Sequence, residues 1–472
     1  MELALHITPS WDAAAGTVDA LDIEWEAGIS ARAGERLAAW ITELVGVPFS
    51  PMEGLRVSDA AGEVPCSFED GEPEMSFVKR RFIVAGRSTE GPVRVSYRVL
   101  PRVQPEGYHS SPYYDLVAEE GGVNGAGTCF LVHPARWEDA FDVELAWDLS
   151  GLPRGASAVW SFGSGERAAW TLTVQELLWS AFAVGMVRSS EGGRAGFYWF
   201  GEPPFDAGLV SRQVDVMFAR MAEMFHDDGR PYRVFARHNA FPGGGGTALT
   251  RSYIYGYGRD DPVDADELRD LLAHEMVHNW PTMRDEPPGL GTWYVEGSAE
   301  YYSIIVPMEL GLCSPEHTAE AICRKAGSYF SNPMNGLSNE ELGRLYWEDN
   351  RCQRVPYARG VLFLSNIDAR IARATGGARS LLDVEVALLE VAEPVPGDFI
   401  RAVREVSGLD VSADYELMRA GGVSAPLVPD PGAFGGRFEV APCRVQLDDA
   451  RHSNEKVLLD EWAQGYEWRP RA

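Results

Sequence analysis

Along the first 188 or so residues, apolar and polar positions alternate in short runs. Val93-Arg94-Val95-Ser96-Tyr97-Arg98-Val99 and Phe141-Asp142-Val143-Glu144-Leu145-Ala146-Trp147 each place an apolar side chain at every second position, and clusters of Gly, Pro, Asp and Ser separate such runs. A period of two buries one strand face and wets the other, which predicts an antiparallel β-sandwich from Met1 to about Arg188. After Arg194 the period changes. Between Leu209 and Asp228, Val214, Met217, Phe218, Met221, Met224 and Phe225 fall at helical spacing, and the run stops at Asp227-Asp228-Gly229. This predicts an amphipathic helix with a glycine end. Strand-like runs follow at 232–236 and 248–257.

From Asp264 onward nearly every periodic segment is helical. Asp264 or Asp266 is expected to cap a helix running to about Trp280, and a second helix is expected from about Thr292 to Leu310. Another enters through Ser314-Pro315-Glu316, a cap followed by proline. Further helices are expected over 356–375, 380–391 and 397–406. Beyond Ala425 the chain is rich in Pro and Gly and reads as an extended tail packed on the body.

The chain has 472 residues, 45% of them hydrophobic and 24% charged, with a formal net charge of −28. That length predicts several domains, and the composition predicts folded structure throughout. A strongly negative field repels phosphate backbones and anionic lipid, so nucleic-acid and membrane partners are not expected. Cys66, Cys129, Cys313, Cys323, Cys352 and Cys443 contain no C-x-x-C pair, which fits neither a disulfide framework nor a thiolate zinc site. The start of the chain lacks a basic segment followed by an apolar one, and no stretch reaches 18 uninterrupted apolar residues, so a cytoplasmic location is expected.

The candidate chemistry begins at His274-Glu275-Met276-Val277-His278. Four residues advance a helix by about 400°, so the two imidazoles leave one face a turn apart and can share one metal ion. Glu275 stands beside them, placed to hold a metal-bound water. A hydrolytic zinc site needs a third protein ligand and an open position. Glu296, eighteen positions beyond His278 on the next helix, supplies a carboxylate after a turn through Pro287-Pro288-Gly289-Leu290-Gly291. Glu300 lies four residues further on the same helical face, where it either orients a ligand histidine or is solvated.

H-E-x-x-H-x-W at 274–280, followed by W-x-x-E-G-x-x-x-Y-Y at 293–302, resembles the gluzincin clan of zinc peptidases, and within it the glycyl aminopeptidase family. Pro356-Tyr357-Ala358-Arg359-Gly360, continuing through Asp368, Arg370, Thr375-Gly376-Gly377 and Ser380-Leu381, is similar to that family's Tyr-x-Lys-Gly helix and its sequel. The resemblance covers about Ser88 to Pro426. With the strand and helix periods above, the expected fold is multidomain α+β: an N-terminal antiparallel β-sandwich (1–190), a catalytic domain (191–330) that the resemblance implies to be a thermolysin-like α/β domain, a C-terminal helical region (331–425) and an extended tail (426–472). The resemblance implies one Zn2+ ion held by His274, His278 and Glu296. Glu275 would deprotonate the zinc water and pass the proton to the leaving amine. Tyr357 would donate a hydrogen bond to the developing oxyanion. Arg359 stands where the family has lysine and keeps the charge.

Two departures follow. Aminopeptidases of the clan carry a Gly-rich strand followed by a glutamate that binds the substrate's α-amino group. Here Pro242-Gly243-Gly244-Gly245-Gly246-Thr247-Ala248-Leu249-Thr250-Arg251 contains no acidic residue. Gly244, Gly245 and Gly246 still offer a bare backbone edge to an extended substrate. The family's PDZ-like domain is not expected in the roughly fifty residues from Ala425 to Ala472. The sequence therefore predicts a zinc metallopeptidase, an aminopeptidase acting on short peptides. The alternatives are a zinc hydrolase acting on a small amide, ester or epoxide, and a non-catalytic scaffold that retains zinc. Tyr113, Tyr114 and His109 read as core residues before cleft residues, and His133, His226, His238 and His317 carry no assignment.

Overall fold

The computed structural model describes residues 1–73, 78–103, 113–227, 229–240, 244–258, 262–421, 427–451 and 456–471. It forms two compact units, one of Met1–Asp215 and Gly229–Ala265, the other of Val216–Asp228 and Asp266–Ala472.

The first unit is built of sheets. A seven-stranded sheet runs in the order 167–173, 140–147, 2–12, 17–27, 93–99, 52–59 and 62–63. Two five-stranded sheets centre on Ala181–Gly185 and on Arg36–Leu44. The alternation predicts burial directly: within Val93–Val99, Val93, Val95, Tyr97 and Val99 are all buried. Trp25, Trp160, Phe130 and Phe182 belong to a large apolar cluster of this unit. Tyr113 and Tyr114 are buried with them, as their core reading requires, and Tyr114 meets Trp179 edge-on. His109 lies outside the described residues.

The expectation of a wholly antiparallel sandwich needs one correction. Glu2–Asp12 pairs in parallel with Ala140–Trp147. Alternation determines which face of a strand is buried but is silent about the direction of its neighbour.

A mixed sheet completes this unit, in the order 188–191, 195–199, 232–239, 252–258 and 245–249, with the three middle strands parallel. The helix Ala207–Met224 connects the first parallel pair, the crossover length such a pair demands. That helix ends before His226, which has a positive φ of 54°. The expected end at Gly229 is thus a few residues late, and Asp228 lies outside the described residues.

The second unit is helical. Ala265–Val277, Thr292–Glu309, Pro315–Lys325, Asn339–Leu345, Asn350–Thr375, Leu381–Leu388, Pro396–Ser407 and Ser412–Ala420 are its main helices. Ser314 caps the Pro315 helix by accepting from the His317 amide, as the cap-proline pattern predicts. Gly376 and Gly408 end two helices in the left-handed conformation. The Tyr357 helix starts at Asn350 rather than at Pro356, because the Asp349 side chain caps it by accepting from the Arg351 amide. Pro356 therefore sits inside that helix. The tail is an antiparallel hairpin of Phe438–Asp448 with Leu458–Pro470.

Candidate metal centre

The first helix of the site is fixed by its apolar face. Leu268, Leu272, Ala273, Met276 and Val277 are buried, and Asp266 and Glu267 occupy the first turn, where the helix dipole favours acids. The helix closes at Val277, three residues before its expected end at Trp280. The Asn279 amide bonds the Met276 carbonyl, and the Asn279 side chain donates to the same oxygen at 2.7 Å. Trp280 anchors this exit: its ring stacks on Phe218 and Phe225, and its Nε1 donates to Asp227 at 2.9 Å. Asp285 shapes the turn to the second helix, accepting from the amides of Gly291 and Thr292 and from the Thr292 hydroxyl.

These two helices bring His274, His278 and Glu296 together. His274 Nε2, His278 Nε2 and Glu296 Oε2 form a triangle with sides of 3.2, 3.4 and 3.7 Å. A point about 2.0 Å from all three exists, the distance zinc prefers to imidazole nitrogen and carboxylate oxygen. Glu296 Oε2 is buried and has no hydrogen-bond partner. Two imidazole nitrogens that face each other need a cation or a proton between them. An orphaned anionic oxygen beside two such nitrogens fits a divalent metal ion, and the donor set is that of a hydrolytic zinc site with an open position.

Burial disfavours a charge on the His274 ring, but Glu300, Glu296 and Glu275 outweigh it and lift that imidazole to about 10. Burial lowers His278 to about 4. Glu275 stands beside the triangle, partly accessible, with its carboxyl pushed up to about 7 by burial and then by Glu296 and Glu300.

Tyr357 joins the same site from the third helix. Its ring stacks on His274 with centroids 5.8 Å apart and planes 9° from parallel. Burial and the nearby Glu296 raise its hydroxyl well above the usual range, so it stays protonated and able to donate. Glu300 Oε1 lies 3.7 Å from His274 Nδ1, and its side chain is 14% exposed.

Arg359 has a different task. It is 1% exposed, and it donates to the Asn339 side chain and to the carbonyls of Asn335 and Leu337, tying the Tyr357 helix to the loop before it. Asp368 likewise links elements, accepting from the Tyr301 hydroxyl and the Leu381 amide.

Gly244, Gly245 and Gly246 belong to the first unit. Gly245 and Gly246 begin the edge strand Gly245–Leu249, and Gly244 precedes it. A Cβ on Gly246 would lie 2.2 Å from Tyr253 Cζ and 2.3 Å from the Ile254 carbonyl oxygen, so only glycine fits there. The side chains nearest the three glycines are tyrosines 113, 253 and 255. Pro242 and Gly243 lie outside the described residues. Of the unassigned histidines, His317 bonds Asp270 at 3.2 Å, and His133 is buried against the Pro134 carbonyl.

Two residues at the site carry no sequence signal that singled them out. The Tyr346 hydroxyl lies 3.3 Å from that of Tyr357. Lys325 pairs with Glu300. Lysine is rare in this chain, and that rarity is the one feature that could have pointed to Lys325.

The fold is shared with M1 zinc aminopeptidase-family structures. No profile of a known protein family matches the chain, and no curated protein matches it. Among solved structures it is similar to an aminopeptidase N family protein from Idiomarina loihiensis, with a TM-score of 0.71 and 14% identity over 95% of this chain and 80% of that one. It is similar also to a mutant M1 zinc metallopeptidase from Deinococcus radiodurans bound to a Tyr-Ser-Ala substrate, with a TM-score of 0.53 and 14% identity over 91% of this chain and 96% of that one. A two-domain M1 zinc metallopeptidase mutant bound to L-arginine gives the same TM-score, 0.53, at 14% identity and the same coverage, 91% and 96%. No helix among the described residues is long and apolar enough to cross a membrane.

Proposed function

We propose that this chain is a zinc-dependent metallopeptidase, an aminopeptidase that hydrolyses short peptides. The observation that carries this reading is the triangle of His274, His278 and Glu296 with Glu275 and Tyr357 on its rim. One zinc ion held by the three ligands supplies, when bound, a Lewis acid that polarises a carbonyl and acidifies water. Glu275, whose proton affinity is lifted by burial, takes a proton from the attacking water on its carboxylate and returns it to the leaving amine. The Tyr357 hydroxyl donates to the carbonyl oxygen as negative charge gathers there. A site that only held the fold together would need neither group and would close its fourth position.

In this reading the region 191–330 is a thermolysin-like catalytic domain between a β-sandwich (1–190) and a helical domain (331–425), with 426–472 as a tail. The Gly244–Gly246 edge receives an extended peptide backbone. All six cysteines are free, which supports a reducing, cytoplasmic setting. A second reading, hydrolysis of a small amide, ester or epoxide, is favoured by one observation: the glycine-rich stretch 242–251 contains no acidic residue to bind a substrate amine.

Mass-spectrometric profiling of a peptide library with free and acetylated N-termini, using the zinc-loaded protein and a Glu275→Gln control, decides between them. Loss of single N-terminal residues from free peptides alone establishes the aminopeptidase. Absence of cleavage in both sets by zinc-loaded protein removes the peptidase reading.

A further inference from the structure

We infer that Lys325 is a positioning residue of the metal centre, acting through Glu300 to hold His274 with its Nε2 toward the other ligands. The inference rests on the zinc reading above. Glu300 lies one turn beyond Glu296, so a single helix presents one ligand and the carboxylate that faces another ligand's second nitrogen. A metal-binding histidine is oriented through whatever its other ring nitrogen meets, and here that is Glu300 Oε1 at 3.7 Å. The other oxygen of Glu300 pairs with Lys325 Nζ. The same ammonium donates to Ser303 Oγ at 3.0 Å, and Ser303 Oγ donates to the Glu300 carbonyl at 2.9 Å. Glu300 is thereby held at its side chain and at its backbone by one short loop of contacts.

The position of Lys325 is itself held. Asp270, one turn before His274 on the first site helix, accepts from Arg324 at 3.0 Å and contacts His317 at 3.2 Å. Arg324 immediately precedes Lys325, so the Pro315–Lys325 helix grips the turn 270–274 at both ends. It does so once through Asp270 and once through Glu300. The hairpin backs this helix, its Trp468 amide donating to Cys323 Sγ at 3.2 Å.

The residue type also matters. Only three lysines occur among the 42 basic Lys and Arg residues of the chain. Lys79 and Lys456 are exposed, whereas the Lys325 side chain is 12% exposed against a Glu300 side chain that is 14% exposed. A compact ammonium places its charge on one carboxylate oxygen and one hydroxyl, which a planar guanidinium fork does not. Without that charge the enclosed Glu300 carboxylate is uncompensated and loses the tie that keeps it beside His274.

The test is zinc affinity by competition with a chromogenic chelator, together with the visible spectrum of the cobalt(II)-substituted full chain, for wild type, Lys325→Met, Glu300→Gln and the double variant. Each single variant should bind zinc about tenfold or more weakly and shift the cobalt bands, and the double variant should be no worse than the weaker single. Circular dichroism of the apo proteins separates this from unfolding, and Glu300→Gln, close to wild type in shape, carries the test if Lys325→Met fails to fold. Wild-type affinity and spectrum in Glu300→Gln, or losses that multiply in the double variant, overturn the inference. Failure of the wild-type chain to bind zinc overturns the zinc reading instead, so the two failures are distinct.

Discussion

Gly297 and Gly360 touch through their backbones where the Glu296 helix crosses the Tyr357 helix. A Cβ on Gly360 would lie 2.0 Å from the Trp293 carbonyl oxygen and 2.7 Å from Gly297 Cα, and a Cβ on Gly297 would meet Gly360 Cα at 2.6 Å. Each glycine follows a site residue, by one position and by three. Their contact therefore sets how closely Tyr357 approaches the ligand cluster. Gly360→Ala should lose roughly 1–3 kcal/mol or more of stability in urea denaturation, because a methyl group has nowhere to go between two backbones. Turnover should fall even where the variant is fully folded. Unchanged turnover in a folded Gly360→Ala would mean that the crossing does not set the site.

Glu275→Gln should abolish turnover and retain the metal, since Glu275 adjoins His274 in the chain without being a corner of the triangle. His274→Ala should lose the metal and the stability that binding adds. Elemental analysis beside activity separates the two. Full activity in zinc-loaded Glu275→Gln would end the proton-transfer role.

Tyr357→Phe should lower kcat by on the order of 100-fold, the cost of removing one oxyanion donor, while KM changes little. Tyr346→Phe leaves the Tyr357 hydroxyl in place and removes only its neighbour at 3.3 Å, so a smaller fall in kcat is expected. Steady-state kinetics decide the order. Equal losses would make Tyr346 a direct partner of the substrate.

Glu385 gives a prediction away from the reacting groups. It is fully buried, accepts from the Ser298 hydroxyl at 2.8 Å, and burial raises its carboxyl to about 8. An acid whose folded pKa lies above its unfolded value of about 4.5 contributes stability that is full below the unfolded value and is lost as pH rises toward about 8. Glu385→Gln has no such proton to lose. Wild type should therefore lose stability relative to Glu385→Gln between about pH 5 and pH 8 in denaturant titrations. A constant difference between the two over that range would show that Glu385 does not titrate there.

The elements legible from the chain were those whose cause is local. The apolar spacing of 265–277 and the Ser314-Pro315 entry mark helices because caps and faces are decided within a turn or two. His274 and His278 could be paired because a helix places fourth neighbours together whatever else the chain does. Glu296 came from the need for a third ligand at a workable distance beyond His278, and Tyr357 from the family resemblance. The parallel pairing of Glu2–Asp12 with Ala140–Trp147 has no such mark, since strand alternation does not encode the partner.

Sequence by itself thus determined the residues that meet in the His274, His278 and Glu296 cluster, their helices and the alternating strands, because period and spacing are properties of neighbouring residues. Tertiary structure alone decided what surrounds them. Lys325 reaches Glu300 across 25 positions, Tyr346 reaches Tyr357 across 11, and Gly297 meets Gly360 only because two helices cross there. Such contacts depend on where whole elements pack, and no stretch of chain short enough to read locally contains both partners.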